Sequence, residues 1–355
     1  MSQISTTLQS IFAEKNRAMS ILMIGTQRSG SNLMRLMLNQ IPAIEAPHPP
    51  HILQRLMPLL PSYEDLSDEA TFRQLVDDVC RLVELNPVPW EGVVLDREGI
   101  AGRCTQNSLV AVFSAVYDVL AEARSAETWC CKSLANVHYV PEIDTYLPDA
   151  KYLYLYRDGR DVAVSFKKAV VGQKHFYHIA QEWAKAQRAA LAMRDKLDDS
   201  QFFSISYEAL TGSTEESLKA LCKFLEVEYQ PSMMNFHESS EAKNTASSSS
   251  LWNNVTKPIM NQNTKKFLKQ ASEEEVKIFE LVAGDVLDAL GYERTQTSPN
   301  DVANFSVEEI TQFDTENQRL KSEKKETMDA EDRERRERQA ALLKEIKERQ
   351  PLVAV

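Results

Sequence analysis

The chain has 355 residues, of which 43% are hydrophobic, and a formal net charge of −11. This length allows a large core, and the acidic balance argues against non-specific binding to nucleic acid. A local basic pocket for an anionic ligand remains compatible with this net charge. The five cysteines show no paired or metal-binding spacing, which is typical of a reducing compartment.

The sequence shows neither an apolar N-terminal signal segment nor a membrane-spanning segment. The first 20 residues are polar, and no stretch reaches the roughly 18 apolar residues that a spanning helix needs. We therefore expect a soluble, cytoplasmic protein. His175 and His178 have helical spacing but no third ligand nearby, so we expect no metal site.

A glycine- and serine-rich turn follows the first apolar run. Residues 21–24 predict a buried strand, and residues 33–39 predict a helix. The turn between them ends in Ser29, Gly30, Ser31 and Asn32. Their backbone N–H groups and hydroxyls meet at a helix N-terminus, where a bound anion is favoured.

This turn is similar to a P-loop but lacks its two most characteristic residues. Gly25 and Gly30 have the P-loop spacing, yet Ser31 and Asn32 stand where Lys and Ser or Thr belong. The nearest cation is Arg28, earlier in the turn. The turn therefore suits a 5′-phosphate better than ATP with Mg²⁺.

A second strand–helix pair carries another arginine. Residues 151–156 predict an aromatic strand that ends at Arg157, and Asp161 can cap the helix that follows. Ser165 lies eight positions beyond Arg157. At this point the chain resembles the sulfotransferase family, which pairs a 5′-phosphosulfate loop with an Arg and a Ser at that spacing. The Arg28 form of the loop resembles the tyrosylprotein and bacterial branch.

The resemblance implies a donor, 3′-phosphoadenosine 5′-phosphosulfate (PAPS), and the product 3′,5′-ADP. It implies that Arg28 stabilises charge on the departing oxygen, while Arg157 and Ser165 hold the 3′-phosphate. Lys132 resembles a family lysine near the transferred group. The segment around Tyr207 resembles one near the adenine, and Lys257 and Pro258 resemble the loop that covers the donor.

The proline-rich segment 41–51 offers Glu45, His48 and His51 as candidates for the general base, and we expect His51 to line the pocket or to pack beside it. Glu45 aligns with the glutamate of the tyrosylprotein branch, through the spacing to Pro50 and Leu53. His48 has the more suitable unperturbed pKa, and we favour it narrowly. The prolines predict that this segment is an irregular loop, and the serine-rich segment 239–250 predicts a flexible one.

Strands that alternate with helices predict an α/β fold, with a P-loop-like parallel sheet covered by helices on both faces. We assign residues 1–294 to a catalytic domain and residues 295–355 to a charged tail, helical or disordered, that stays off the core. The tail could pair with another copy of the chain.

The predicted function is sulfuryl transfer from PAPS to a hydroxyl of a small molecule or a tyrosine. Two other functions stay open at this stage. One is a P-loop kinase, and the other is a non-catalytic interaction protein on the same fold.

Overall fold

The computed structural model describes residues 19–248, 250–260 and 263–349. In them, a parallel sheet has the strand order β2-β3-β1-β4-β5. Its strands are β1 (Met19–Gly25), β2 (Ile44–Glu45), β3 (Thr128–Cys131), β4 (Lys151–Tyr156) and β5 (Phe202–Ser206). The predicted α/β fold with a central parallel sheet is confirmed.

Helices surround this sheet. The α-helices are, in chain order, α1 (Ser31–Leu38), α2 (Ile52–Leu56), α3 (Glu69–Glu84), α4 (Arg97–Arg103), α5 (Leu109–Ala123), α6 (Val140–Tyr146), α7 (Gly159–Lys168), α8 (Phe176–Arg194), α9 (Tyr207–Gly212), α10 (Thr214–Leu225), α11 (Ser240–Ser248), α12 (Phe267–Gln270), α13 (Glu273–Ala289), α14 (Val307–Glu326) and α15 (Ala330–Glu348). Short 3₁₀ helices occupy Met57–Ser62, Leu134–His138, Pro231–Glu238 and Ser250–Thr256.

Alternating side chains of β1 supply both sides of the core. Leu22 and Ile24 lie in a cluster on one face, whereas Ile21 and Met23 lie in a second cluster on the other face. All four are fully buried. A strand buried on both faces reads as a continuous apolar run, which is why the sequence predicted this strand correctly.

The strand order places the candidate site residues at one edge of the sheet. β1 is the central strand, with β3 on one side and β4 on the other. Ligands of open parallel sheets bind at the carboxyl ends of strands, where the strand order reverses. Arg28, Lys132, Arg157 and Tyr207 each follow the carboxyl end of a different strand.

Two segments that were expected to be irregular contain regular structure. Within the proline-rich segment, Ile44 and Glu45 form β2, which pairs with β3. Pro42 and Pro47 flank this two-residue strand, and because proline has no N–H they limit its length.

The serine-rich segment forms helix α11. The hydroxyl of Ser239 accepts a hydrogen bond from the Ala242 N–H at 3.1 Å. Glu241 and Thr245 accept hydrogen bonds from the guanidinium of Arg35 at 2.7 and 2.8 Å. This tertiary contact, which composition does not register, explains the order of the segment.

The expectation that the charged tail stays off the core is wrong. Leu342 and Ile346 of α15 are 2% and 0% exposed and belong to the core cluster that also contains Leu22 and Ile24. The Gln339 amide donates to the Leu82 carbonyl at 3.1 Å, and Arg349 donates to Asp78 at 3.0 Å. Polar side chains make much of this docking, so apolar periodicity could not predict it. The domain boundary at residue 294 stays a prediction.

Ending the chain at Ser298 should therefore destabilise the protein. Removing Leu342 and Ile346 from the core should cost about 3–6 kcal/mol. Such a loss corresponds to a melting temperature lowered by roughly 5–15 °C, measured by thermal denaturation. Arg338→Ala, in an exposed ion pair on the same helix, should leave the melting temperature unchanged. A truncated protein as stable as the full chain would contradict the docking.

Candidate active site

A cavity of about 410 Å³ opens at the carboxyl ends of the strands. Most of the predicted site residues line it: Arg28, Gly30, Ser31, Asn32, Arg157, Ser165, Tyr207, Lys257 and Pro258. Ser29, Glu45, His48 and Lys132 do not line this cavity directly. The structure thus brings together both phosphate motifs and the predicted covering loop.

Arg28 joins the two phosphate motifs. Its Nε donates to the Ser165 hydroxyl at 3.0 Å, and its own carbonyl accepts from Arg157 Nη1 at 3.1 Å. Burial lowers the pKa of Arg28, and the charge of Arg157 lowers it further. Buried Arg157 and partly buried Arg28 therefore hold two positive charges close together, an arrangement that a bound polyanion would stabilise.

Gly30 allows an aromatic ring to pack against the phosphate loop. Its φ is +90°, and a Cβ built there would lie 2.4 Å from the Tyr207 ring. The same ring has the Arg157 guanidinium carbon 4.4 Å from its centroid, and its hydroxyl accepts from the Asn263 amide at 2.8 Å. Tyr207 thus packs between the loop and Arg157.

Arg157 is fixed on several sides but keeps one free donor. Its Nη2 donates to the Asn263 carbonyl and to Asp161 Oδ2, the latter at 3.4 Å. Among the described residues, buried Arg157 Nε and buried Ser29 Oγ have no hydrogen-bond partner. Buried polar groups are normally satisfied. Together with the cations of the cavity, these two atoms fit an anionic, phosphate-bearing ligand.

Lys132 reaches the phosphate loop from the neighbouring strand. Its Nζ donates to Asn32 Oδ1 at 2.8 Å. Burial, followed by the charges of Arg35 and Arg28, lowers the pKa of Lys132 to about 7. A P-loop carries its lysine within the motif. Here the corresponding lysine is Lys132, the residue that follows β3. The side chain at the P-loop Ser/Thr position bonds this lysine.

His48 lies beside the cavity and is rigidly held. Its ring centroid is 4.6 Å from that of Trp252, which lines the cavity. Its carbonyl accepts from Asn86 Nδ2 at 3.0 Å and from Trp90 Nε1 at 2.9 Å. Within the described residues, neither buried ring nitrogen has a hydrogen-bond partner. Burial and the charge of Lys132 hold its pKa well below the usual value, so the ring is neutral.

Glu45 is less favourably placed. It pairs with Trp129 in the sheet, three residues before Lys132, and so lies below the carboxyl edge of β3. Burial raises the pKa of Glu45. His51 lies nearer than Glu45 to the carboxyl end of β3, with its Nδ1 3.1 Å from the hydroxyl of Ser133. The register of β2 therefore favours His48, although the choice of base stays a prediction.

Sequence reasoning missed Lys168 and Arg35. Lys168 lines the cavity, as do Trp252 and Lys266, which lie in and just after the predicted covering loop. Lys168 lies three positions after Ser165, so the helical period carried a signal for it. Fully buried Arg35, which donates to the Ala46 carbonyl at 2.9 Å, had no such signal in its apolar helix.

In residues 19–248, 250–260 and 263–349, no group of three or more His, Cys, Asp or Glu side chains could hold a metal ion. In the same residues, no helix is both long and apolar enough to cross a membrane. The Nδ1 atom of His175 accepts from the Tyr177 N–H at 3.3 Å and caps α8.

Comparison with known proteins identifies the class. The profile of the "Sulfotransferase family" matches residues 20–231, more than half of the chain. The chain therefore belongs to the sulfotransferase family, and it is an enzyme that transfers a sulfuryl group to a hydroxyl acceptor.

Two curated relatives are protein-tyrosine sulfotransferases. The chain is 22% identical over 293 residues to protein-tyrosine sulfotransferase A of Caenorhabditis elegans, covering 80% of this chain and 70% of that protein. It is 23% identical over 295 residues to the protein-tyrosine sulfotransferase of Drosophila melanogaster, again over 80% of this chain. It spans only 54% of the length of the latter.

Two solved structures share the fold. The sulfotransferase domain from the curacin biosynthetic pathway superposes with a TM-score of 0.55 at 19% identity, covering 78% of this chain and 99% of that domain. The sulfotransferase domain from the Synechococcus PCC 7002 olefin synthase gives a TM-score of 0.51 at 17% identity, covering 78% and 94%.

Proposed function

We propose that the sulfuryl donor is PAPS and that the products are 3′,5′-ADP and a sulfate ester. One observation carries this proposal. The Arg28–Ser165 hydrogen bond and the Arg157–Arg28 contact place the two phosphate motifs at the rim of one cavity. A donor with phosphates at both its 5′ and 3′ positions matches two cationic motifs better than a single-phosphate ligand does.

The chemistry assigns each side chain a task. The acceptor oxygen forms a bond to sulfur while the bond from sulfur to the bridging oxygen breaks, and the electron pair leaves with the 5′-phosphate. Arg28 and Lys132 stabilise the charge that develops on that oxygen. Arg157 and Ser165 bind the 3′-phosphate. Neutral His48 takes the acceptor proton.

The two rival functions are not favoured. A kinase would need a magnesium-binding hydroxyl at position 32, where the amide of Asn32 instead bonds Lys132. A non-catalytic protein has no need to place Arg28 and Arg157 in one cavity and a neutral buried histidine beside it. The same arrangement therefore supports a catalytic function.

The acceptor and the location belong to the proposal as well. The names of the curated relatives support a tyrosyl hydroxyl, with a small-molecule hydroxyl as the other candidate. We propose a cytoplasmic enzyme that does not act on nucleic acid, in line with the net charge of −11. Pairing of two chains through the tail helices is part of the same proposal.

The donor assignment is tested by thermal denaturation with added nucleotide. A ligand at about one hundred times its Kd stabilises a protein by about 2.7 kcal/mol. We expect 3′,5′-ADP to raise the melting temperature and ATP with Mg²⁺ to leave it nearly unchanged. Stabilisation by ATP with Mg²⁺ alone would favour the kinase instead.

Arg157→Ala should weaken binding of 3′,5′-ADP by about 10- to 100-fold, because it removes charge-assisted hydrogen bonds to the 3′-phosphate. The variant should also lose its preference for 3′,5′-ADP over 5′-AMP in calorimetric titrations. Arg188→Ala, which removes an exposed arginine paired with Asp285, is the matched control. Wild-type affinity in the folded Arg157 variant would contradict the assignment.

A further inference from the structure

The turn formed by residues 169–175, which follows α7, is a wall of the cavity. Ala169 and Val170 line the cavity beside Ser165. Gly172 has a φ of +77°, and a Cβ built there would lie 2.6 Å from the Phe166 ring. The backbone of this 169–175 turn therefore packs closely onto the helix that carries Ser165, and its position sets the shape of the wall.

A buried lysine holds the turn from within. Lys174 is 1% exposed, and its Nζ donates to the carbonyls of Val171 at 2.7 Å and Gly172 at 2.8 Å. Burial and the nearby charges of Lys321, Lys324 and Arg28 lower its pKa to about 8. Lys174 therefore lies close enough to helix α14 and to Arg28 for their positive charges to act on it.

Helix α14 holds the same turn from outside. Asn317 Oδ1 accepts from the backbone N–H groups of Lys174 at 2.8 Å and His175 at 3.1 Å. Its Nδ2 donates to Gln173 Oε1 at 2.8 Å. Asn317 is 3% exposed on a helix whose other described residues are at least partly exposed.

Aromatic contacts fix where α14 meets the turn. The Phe313 ring stacks on His175 with 4.5 Å between the ring centroids, and it also packs against Tyr177 at 5.2 Å. The asparagine therefore reaches the turn in one defined orientation. The family profile ends at residue 231, so this contact comes from a part of the chain outside the match.

We infer that Asn317 is a positioning residue for donor binding, which holds the 169–175 turn in the shape that accepts the nucleotide. This inference rests on the proposed function. Through Asn317, the C-terminal segment controls donor affinity without touching the donor. Residues that act on a site in this way change binding by about 2- to 30-fold.

The test compares binding of 3′,5′-ADP to the full-length wild type and to single variants by calorimetric titration. Asn317→Ala should raise the Kd by about 2- to 30-fold and raise the KM for PAPS at unchanged kcat. Asn317→Asp keeps an acceptor oxygen and should restore most of the affinity. Gln339→Ala removes the buried bond from the other tail helix and should lower the melting temperature without changing the Kd.

The outcomes separate the two claims. A wild type that does not bind 3′,5′-ADP overturns the proposed function. A wild type that binds it, with Asn317→Ala folded and equally tight, overturns the inference. If that variant does not fold, hydrogen exchange of the wild type decides. Addition of 3′,5′-ADP should slow exchange in residues 305–320 as well as in the turn, and no change in residues 305–320 overturns the inference.

Discussion

Replacing His48 by alanine is expected to lower kcat by about 10²–10⁴, the usual range for loss of a general base. His48 has two buried ring nitrogens without a partner among the described residues, next to a tryptophan that lines the cavity. His48→Asn, which keeps a hydrogen-bonding side chain but no titratable ring, should be similarly slow. Steady-state sulfation rates at saturating PAPS give the measurement.

Glu45→Gln is the counterpart of this experiment. The register of β2 places Glu45 beside Trp129, below the edge at which Lys132 reaches the site. We therefore expect Glu45→Gln to cost much less than His48→Ala. The opposite order would assign the base to Glu45, and near-wild-type rates in both variants would exclude this segment as its source.

The lowered pKa values of His48 and Lys132 also predict the pH profile of kcat/KM, which reflects the ionisation of groups in the free enzyme. The pKa of His48 lies well below its usual value of 6.5, so its neutral form persists as the pH falls, and the acid limb should lie below pH 6.5. Lys132, with a pKa of about 7, loses its charge as the pH rises and should give an alkaline limb for the anionic donor. Lys132→Met should remove that limb.

Arg28→Ala is expected to lower kcat by about 10²–10³, the range seen when one preorganised donor to a developing oxyanion is removed. The KM for PAPS should change less, because the main contact is with charge that develops in the transition state. Arginine already holds the left-handed φ of +70° at this position. Alanine has the same Cβ and adds no backbone strain.

The matched control is Arg188→Ala, which removes an exposed arginine that pairs with Asp285 and does not line the cavity. Kinetics at several PAPS concentrations separate kcat from KM. An unchanged kcat with a raised KM would show that Arg28 only binds the donor. Arg28→Lys keeps the charge but loses the forked geometry, and should recover only part of the rate.

The predicted site residues that line the cavity lie in local motifs. Arg28, Gly30, Arg157 and Ser165 belong to strand–turn–helix units, whose chain order alone places them at the carboxyl edge of a parallel sheet. The link between the units could not be predicted. The Arg28–Ser165 bond joins residues 137 positions apart, and it depends on β1 and β4 being neighbours.

Other features depended on tertiary contacts that composition does not encode. Helix α11 is serine-rich, and its Glu241 and Thr245 accept hydrogen bonds from the buried guanidinium of Arg35. These contacts stabilise the helix. Helix α14 has little apolar periodicity, yet Asn317 ties it to the turn beside the cavity. In both cases a buried polar side chain fixes the segment, and polar residues in a sequence carry no sign of which of them will be buried.

The central claim is tested most directly by incubating the purified full chain with PAPS labelled in the sulfuryl group and fractionated host extract or tyrosine-containing peptides. We predict that label moves into a sulfate ester in equal amount to the 3′,5′-ADP released, and that His48→Ala and Arg28→Ala nearly abolish this transfer. Label that remains in PAPS with every hydroxyl acceptor, while the γ-phosphate of ATP is transferred, would contradict the account.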